Sequence, residues 1–250
     1  MLYFIIGTVV GSFLNVCIHR LPREESIVFP PSHCPRCKHK LSFFDLVPIV
    51  SYFILRGKCR YCGEKISFRY PLVELVTGLL FALIGYLFPI MIQPVDFFFS
   101  VVFIMLLMVV FFVDHEQLVI PDSINIIGVI LGLLYNFLKG NILSALSGML
   151  LAYSAMFLIA KIGKLSLKRD AMGEGDLYLS AFLGAVLGWK VVLLSLFIAY
   201  LIAGATAVLL LLMNKVEFGQ EVPFGGALAA SGIISFFYGQ QILAWYFGIM

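Results

Sequence analysis

Cys34-Pro-Arg-Cys37 and Cys59-Arg-Tyr-Cys62 are two Cys-x-x-Cys pairs separated by 21 residues. That spacing is close to the one by which tetrahedral zinc ribbons gather four thiolates. Each pair forms a knuckle that turns two sulfurs to one side, and Gly63 can take the left-handed conformation that lets backbone amides face sulfur. Two disulfides or two free redox pairs are the competing readings. Four cysteines already complete a site, so His33 and His39 read as neighbours or solvated groups.

The second set of candidates is acidic: Glu74, Asp96, Asp114, Glu116, Asp122, Asp170, Glu174 and Asp176 all lie beside long apolar runs. Carboxylates are costly there and by default mark function. Asp96, between Pro94 and Phe97, reads as a solvated cap in an outer turn; Asp122, after Pro121, reads equally as a helix cap or as a catalytic acid. Asp114 closes one apolar run after Phe111-Phe112-Val113, and Asp176 opens another after Gly173-Glu174-Gly175. Two carboxylates brought together share a proton, so that one activates water while the other protonates a scissile carbonyl. A side chain at Gly173 or Gly175 would block the approach of a substrate backbone. Caps or an ion pathway are the competing readings of these acids.

The elements that must position these groups are membrane helices. Of 250 residues, 62% are hydrophobic, 15% aromatic and only 12% charged, with mean hydropathy +1.04. An ordinary soluble domain carries about 25% charged residues, so a soluble enzyme is excluded. A net charge of +3 makes no basic field, and the chain is no nucleic-acid binder. A span needs roughly 20 mostly apolar residues. Runs at 1–18, 75–95, 97–113, 123–138, 140–160, 177–189, 191–214 and 222–250 predict about eight spans, with Gly188-Trp189-Lys190 breaking the sixth from the seventh.

Lys and Arg accumulate in cytoplasmic loops. With the N-terminus outside, segments 19–71, 114–122, 161–175 and 214–221 face the cytoplasm; they hold every basic residue except Lys139 and Lys190, or fifteen of seventeen. Both termini then lie outside and the cysteine loop lies in the reducing cytoplasm, which favours a metal over disulfides. The first run has no basic residues before it and reads as a retained anchor. The fold class is therefore an all-α polytopic integral membrane protein with a cytoplasmic, four-cysteine, zinc-ribbon-like loop. Its organisation is a first helix at 1–18, the zinc-binding loop at 19–71 and a seven-helix domain at 72–250. The stretch Phe43–Leu55 is apolar but too short to span; it either packs on the knuckles or lies at the membrane interface.

Six motifs in register resemble the bacterial type IV prepilin leader peptidases, membrane aspartyl proteases of the Gly-x-Gly-Asp class. They are Gly11-Ser-Phe-Leu-Asn-Val-Cys-Ile-His-Arg-Leu-Pro22, the paired knuckles, Ser67-Phe-Arg-Tyr-Pro-Leu-Val-Glu74, Asp114 with Pro121-Asp122, Met172-Gly-Glu-Gly-Asp176, and Val222-Pro-Phe-Gly-Gly226. The resemblance implies an inner-membrane enzyme that removes the short basic leader of prepilins or pseudopilins at the cytoplasmic face. It also implies N-methylation of the new terminus with S-adenosylmethionine. It puts the catalytic acids at Asp114 and Asp176, and the methylation region on the first loop with Asn15 and Glu74 as donor-binding candidates. The chain departs from the family at Glu116, where an Asp is frequent, at Tyr178, where a Lys is frequent, and at Glu174 between the glycines. A transporter using the same acids as a relay is the alternative activity, disfavoured because the acids cluster at one membrane edge rather than near the midplane. A non-catalytic zinc-ribbon scaffold is the third reading.

Overall fold

The computed structural model describes residues 1–167, 172–216 and 222–248. Its helices are α1 (Leu2–Arg20), α2 (Val50–Ile54), α3 (Arg69–Leu87), α4 (Pro94–Gln117), α5 (Asp122–Leu138), α6 (Ile142–Leu167), α7 (Glu174–Leu212) and α8 (Gly225–Tyr246). No strand occurs among the described residues. Six helices are long and apolar enough to cross a membrane, and α5 is a shorter apolar one. The protein is thus an all-helical membrane protein, with six to seven candidate spans where the sequence predicts about eight. The higher number counts α7 twice. Lys168, Arg169 and Asp170 lie outside the described residues, as does the stretch 217–221.

The chain divides into two compact units, Met1–Val109 and Val110–Met250. In the first, α1 and α3 pack antiparallel through small residues that let the backbones meet. A Cβ on Gly11 would fall 2.7 Å from the Glu74 Cα, and one on Gly78 would fall 2.7 Å from Thr8; Tyr3 covers Gly85 at the far end. The run predicted at 75–95 begins earlier, at Arg69, and ends at Leu87, because Phe88–Gln93 turns the chain before α4. Asp96 therefore stands in the first turn of α4.

In the second unit α7 is interrupted at Gly188, whose φ of 73° and ψ of 171° no helix accommodates. Asp176 lies twelve residues before this break and Tyr200 twelve after it, yet the two side chains are within electrostatic reach of each other. The arms Glu174–Leu187 and Trp189–Leu212 therefore double back at Gly188. The carbonyls that the break frees need partners, since a buried unpaired carbonyl is costly. Asn136 on α5 supplies them, donating to Ala185 at 2.9 Å and Val186 at 3.0 Å. Close approach of α6 depends on Gly148 and Gly184, where a Cβ on the latter would collide with the Gly148 carbonyl.

Candidate active site

Asp114 lies three residues from the end of α4 and is buried, with 5% of its surface exposed. Its Oδ2 accepts the Gly226 amide at 2.6 Å, and the Gly225 amide lies alongside. Both amides belong to the first turn of α8, where backbone N–H groups have no partner within the helix. A carboxylate there gains charge-assisted hydrogen bonds and the favourable end of the helix dipole.

Asp176 is the third residue of α7, half-buried, with its amide donating to the Gly173 carbonyl at 3.2 Å. Its carboxyl lies within electrostatic reach of Asp114. Ile120 fits between the starts of α7 and α8: it would meet a Cβ on Gly175 at 3.0 Å and one on Gly225 at 2.7 Å. The two glycines before Asp176 thus differ. Gly175 has no room for a side chain because Ile120 is there, whereas among the described residues a Cβ on Gly173 would meet only Asp176 Oδ2, at 3.7 Å. Among those residues Gly173 leaves the approach to the carboxyl open.

Asp122 is exposed and is the first residue of α5, directly after the N-cap Pro121. Its place is that of an acid at a helix N-terminus. Sequence reasoning missed three neighbours of the acids. Asn125, 3% exposed, donates to the Gly175 carbonyl at 3.4 Å; Tyr200 packs on Phe224 with ring centroids 5.0 Å apart; Gly226 holds Asp114. Only the last had a signal, the Gly-Gly pair itself.

The first unit carries the cysteines. The two knuckles repeat one backbone design: Lys38 donates to the Cys34 carbonyl at 2.9 Å as Gly63 does to Cys59, while Cys34 donates to His39 at 3.0 Å as Cys59 does to Glu64 at 2.8 Å. Gly63 takes φ 73°, and Lys38 takes φ 58° at the equivalent place. All four Sγ atoms lie within 4.8 Å of one another, with Cys34 and Cys62 3.9 Å apart. Four sulfurs at about 2.3 Å from one cation would stand about 3.8 Å apart, so the cluster can hold a metal ion. All five cysteines are free thiols. Electrostatics agrees. Burial raises the Cys34 pKa, but the Cys37 and Arg36 amides outweigh it and bring the thiol to about 7. The Glu64 amide favours a thiolate at Cys62, but desolvation and the crowding of Cys59, Cys37 and Cys34 push it up to about 12. The cluster carries one thiolate readily and needs a cation to carry four. His33 bonds the Pro31 carbonyl and His39 stacks on Tyr61 at 3.7 Å, both outside the sulfur cluster.

Asn15 and Glu74 lie in the seam between α1 and α3, 3% and 8% exposed. Asn15 donates to the Tyr70 carbonyl at 3.1 Å. The Glu74 carboxylate accepts the Ile49 amide at 2.6 Å and a hydrogen bond from Ser12. Among the described residues the Asn15 Oδ1 is buried with no hydrogen-bond partner.

Residues 5–88 match the family described as Bacterial Peptidase A24 N-terminal domain, and residues 101–208 match the Type IV leader peptidase family. A protein of Myxococcus xanthus named prepilin leader peptidase/N-methyltransferase is 37% identical over 231 residues, covering 90% of this chain and 68% of that protein. Proteins of the same name from Stutzerimonas stutzeri and Bacillus subtilis are each 35% identical, covering 97% of this chain and 91% and 96% of their own lengths. No solved structure matches significantly. Two family matches along the chain and relatives matched over most of their length agree: the chain belongs to the type IV leader peptidase family.

Proposed function

We propose that Asp114 and Asp176 are the acid pair with which this enzyme, a prepilin leader peptidase and N-methyltransferase, cuts its substrate. The observation that carries the assignment is their proximity across two helices, with Asp114 receiving two backbone amides at the start of α8 and Asp176 one, from Gly173. Those donors suit Asp114 to hold the negative charge and to take a proton from water. Asp176, which receives the Gly173 amide alone, holds the proton and gives it to the scissile carbonyl. In the collapse of the tetrahedral intermediate Asp114 gives the proton taken from water to the leaving pilin amine, and a hydroxyl of the intermediate returns a proton to Asp176 as the leader's new carboxyl forms. The open side of Gly173 is where the substrate backbone passes.

The cut falls at the cytoplasmic face of the inner membrane, the side to which fifteen of seventeen basic residues assign the loops beside both acids. Prepilins and pseudopilins present a basic leader and then an apolar helix, which suits a site at that edge. Zinc is the cation of the four-cysteine cluster; with four thiolates it leaves no open position, so its role is structural. It would be held by Cys34, Cys37, Cys59 and Cys62.

The deciding experiment compares Asp114→Asn, Asp176→Asn and Asp122→Asn in purified enzyme mixed with a prepilin, reading leader loss by mass spectrometry. The first two should fold, bind prepilin and cut at least about 10⁴-fold more slowly, as when a member of a catalytic triad is removed. Asp122→Asn should cut normally. Loss of cutting in Asp122→Asn with retention in Asp114→Asn would move the first acid to Asp122.

A further inference from the structure

The polar contact between Glu74 and Ile49 has a consequence for depth. α1 has 19 residues and so rises about 28 Å, close to a hydrocarbon core of about 30 Å. The candidate span runs Leu2–Arg23, and its first arginine, Arg20, marks one membrane boundary. The Gly11–Glu74 contact sets the register of α3 against α1 and places Glu74 nine residues, or about 13 Å, inside that boundary. A helical side chain leans toward its own N-terminus, so the carboxylate reaches back toward Arg20 by up to one turn, about 5 Å. Ile49, whose amide it holds at 2.6 Å, still lies more than a turn inside.

The segment from Val47 to Leu55 is therefore at membrane depth, although it is far too short to cross. Its chemistry fits that place. Val50, Phe53 and Ile54 turn outward from the unit, the last two 65% and 69% exposed, with Phe53 meeting the ring of its neighbour Tyr52 edge-on at 5.8 Å. In hydrocarbon every backbone amide needs an internal acceptor. Val50 bonds Pro48, Ser51 bonds Val47, Phe53 bonds Ile49 and Leu55 bonds Ser51. Ile49, the one residue that opens this turn, has a φ of 63°, unusual for a β-branched side chain. Its amide is the one that Glu74 accepts. In water that amide would need no carboxylate. Directly after the segment come the exposed cations Arg56 and Lys58, placed for anionic headgroups.

We propose that Val47–Leu55 is a re-entrant wedge embedded in the leaflet on the Arg20 side, with Val50, Phe53 and Ile54 against acyl chains and Glu74 as the peg that holds it there. The occupant of this apolar face is lipid. The wedge ties the four-cysteine loop to the membrane surface, and it stands whether or not Asp114 and Asp176 are the catalytic acids.

The test reads depth and not cleavage. Full-length enzyme with Trp189→Phe and Trp245→Phe receives one new tryptophan, Phe53→Trp or, in a second variant, Ile54→Trp, and is reconstituted in phosphatidylcholine–phosphatidylglycerol vesicles. Emission should be blue-shifted, resist aqueous acrylamide, and lose most of its intensity when the lipids carry bromine near the carbonyl end of the acyl chains. Tyr61→Trp on the second knuckle should behave in the opposite way. Acrylamide quenching without bromolipid quenching at both wedge positions would put the face in water or against a soluble partner and overturn the proposal. Quenching by neither would mean that protein covers it, a second copy or another part of this chain, and would overturn it equally.

Discussion

The Gly226 amide lies 2.6 Å from Asp114 Oδ2 across 112 residues of sequence, and beside it Gly225 comes so close that a Cβ there would stand 2.9 Å from the Asp114 Cγ and 2.7 Å from Ile120. The adjacent glycines thus have different tolerances. Gly226→Ala, whose Cβ would meet nothing nearer than 3.6 Å, should retain cleavage, whereas Gly225→Ala should lower it by displacing the carboxyl. Gly226→Pro removes the donor at a helix turn that accepts proline. Loss of a hydrogen bond to a charged group, about 1.5–3 kcal/mol, should slow cutting roughly 10- to 100-fold. Rates on a synthetic prepilin check all three, and equal rates for Gly225→Ala and Gly226→Ala would refute the packing argument.

Asn136 should be a stability residue with no part in chemistry. Its amide satisfies the two carbonyls freed at the Gly188 break, and Asn136→Ala leaves both buried and unpaired. The expected cost is about 1–3 kcal/mol for each group left so, seen as a lower thermal midpoint in detergent. Residual folded enzyme should cut at the wild-type rate.

Stripping the metal should separate the two units. The sulfur cluster belongs to Met1–Val109 and both acids to Val110–Met250. Treatment with a strong chelator should release about one equivalent of zinc and open residues 34–62 to added protease. Leader cutting should fall less than methylation does. A quadruple Cys→Ser variant that still carried metal would refute the cluster as the binding site.

Asp45 links the knuckles to the segment before the wedge. Burial alone would raise its pKa, but the Ser42 hydroxyl, Arg60 at 2.7 Å, the Ser42 amide and Tyr61 outweigh this and hold the carboxyl at about 2. An unfolded Asp titrates near about 3.9. Because the folded value is the lower one, the contribution is full above about pH 4 and disappears as pH falls toward about 2. Hydrogen exchange of residues 42–62 should therefore differ between wild type and Asp45→Asn by a constant factor from pH 5 to 8. A difference that grows with pH in that range would point to another titrating group.

Much of this was legible in the residues. Charge-free runs foresee the helices because lipid tolerates few charges. Gly140 and Gly188 were readable as a turn and a break, and both take a positive φ. The acids stood out by position, each at the end of an apolar run facing one side. What could not be read depends on backbone groups, which carry no letter: the Gly226 amide on Asp114, the Ile49 amide on Glu74, the carbonyls on Asn136. Glu74 is one example: no letter of its motif foretells that its carboxylate accepts a peptide N–H twenty-five residues upstream.

The doubling back of α7 also bears on how water reaches an enzyme buried in lipid. The arm Glu174–Leu187 has fourteen residues and rises about 21 Å, well short of a hydrocarbon thickness of about 30 Å. Leu179–Val186 are buried, so protein and not lipid surrounds most of it. Hydrolysis consumes one water per leader, and with Asp176 in the first turn of this arm, beside the exposed Gly173 and Glu174, that water reaches the carboxyl from the arm's open end.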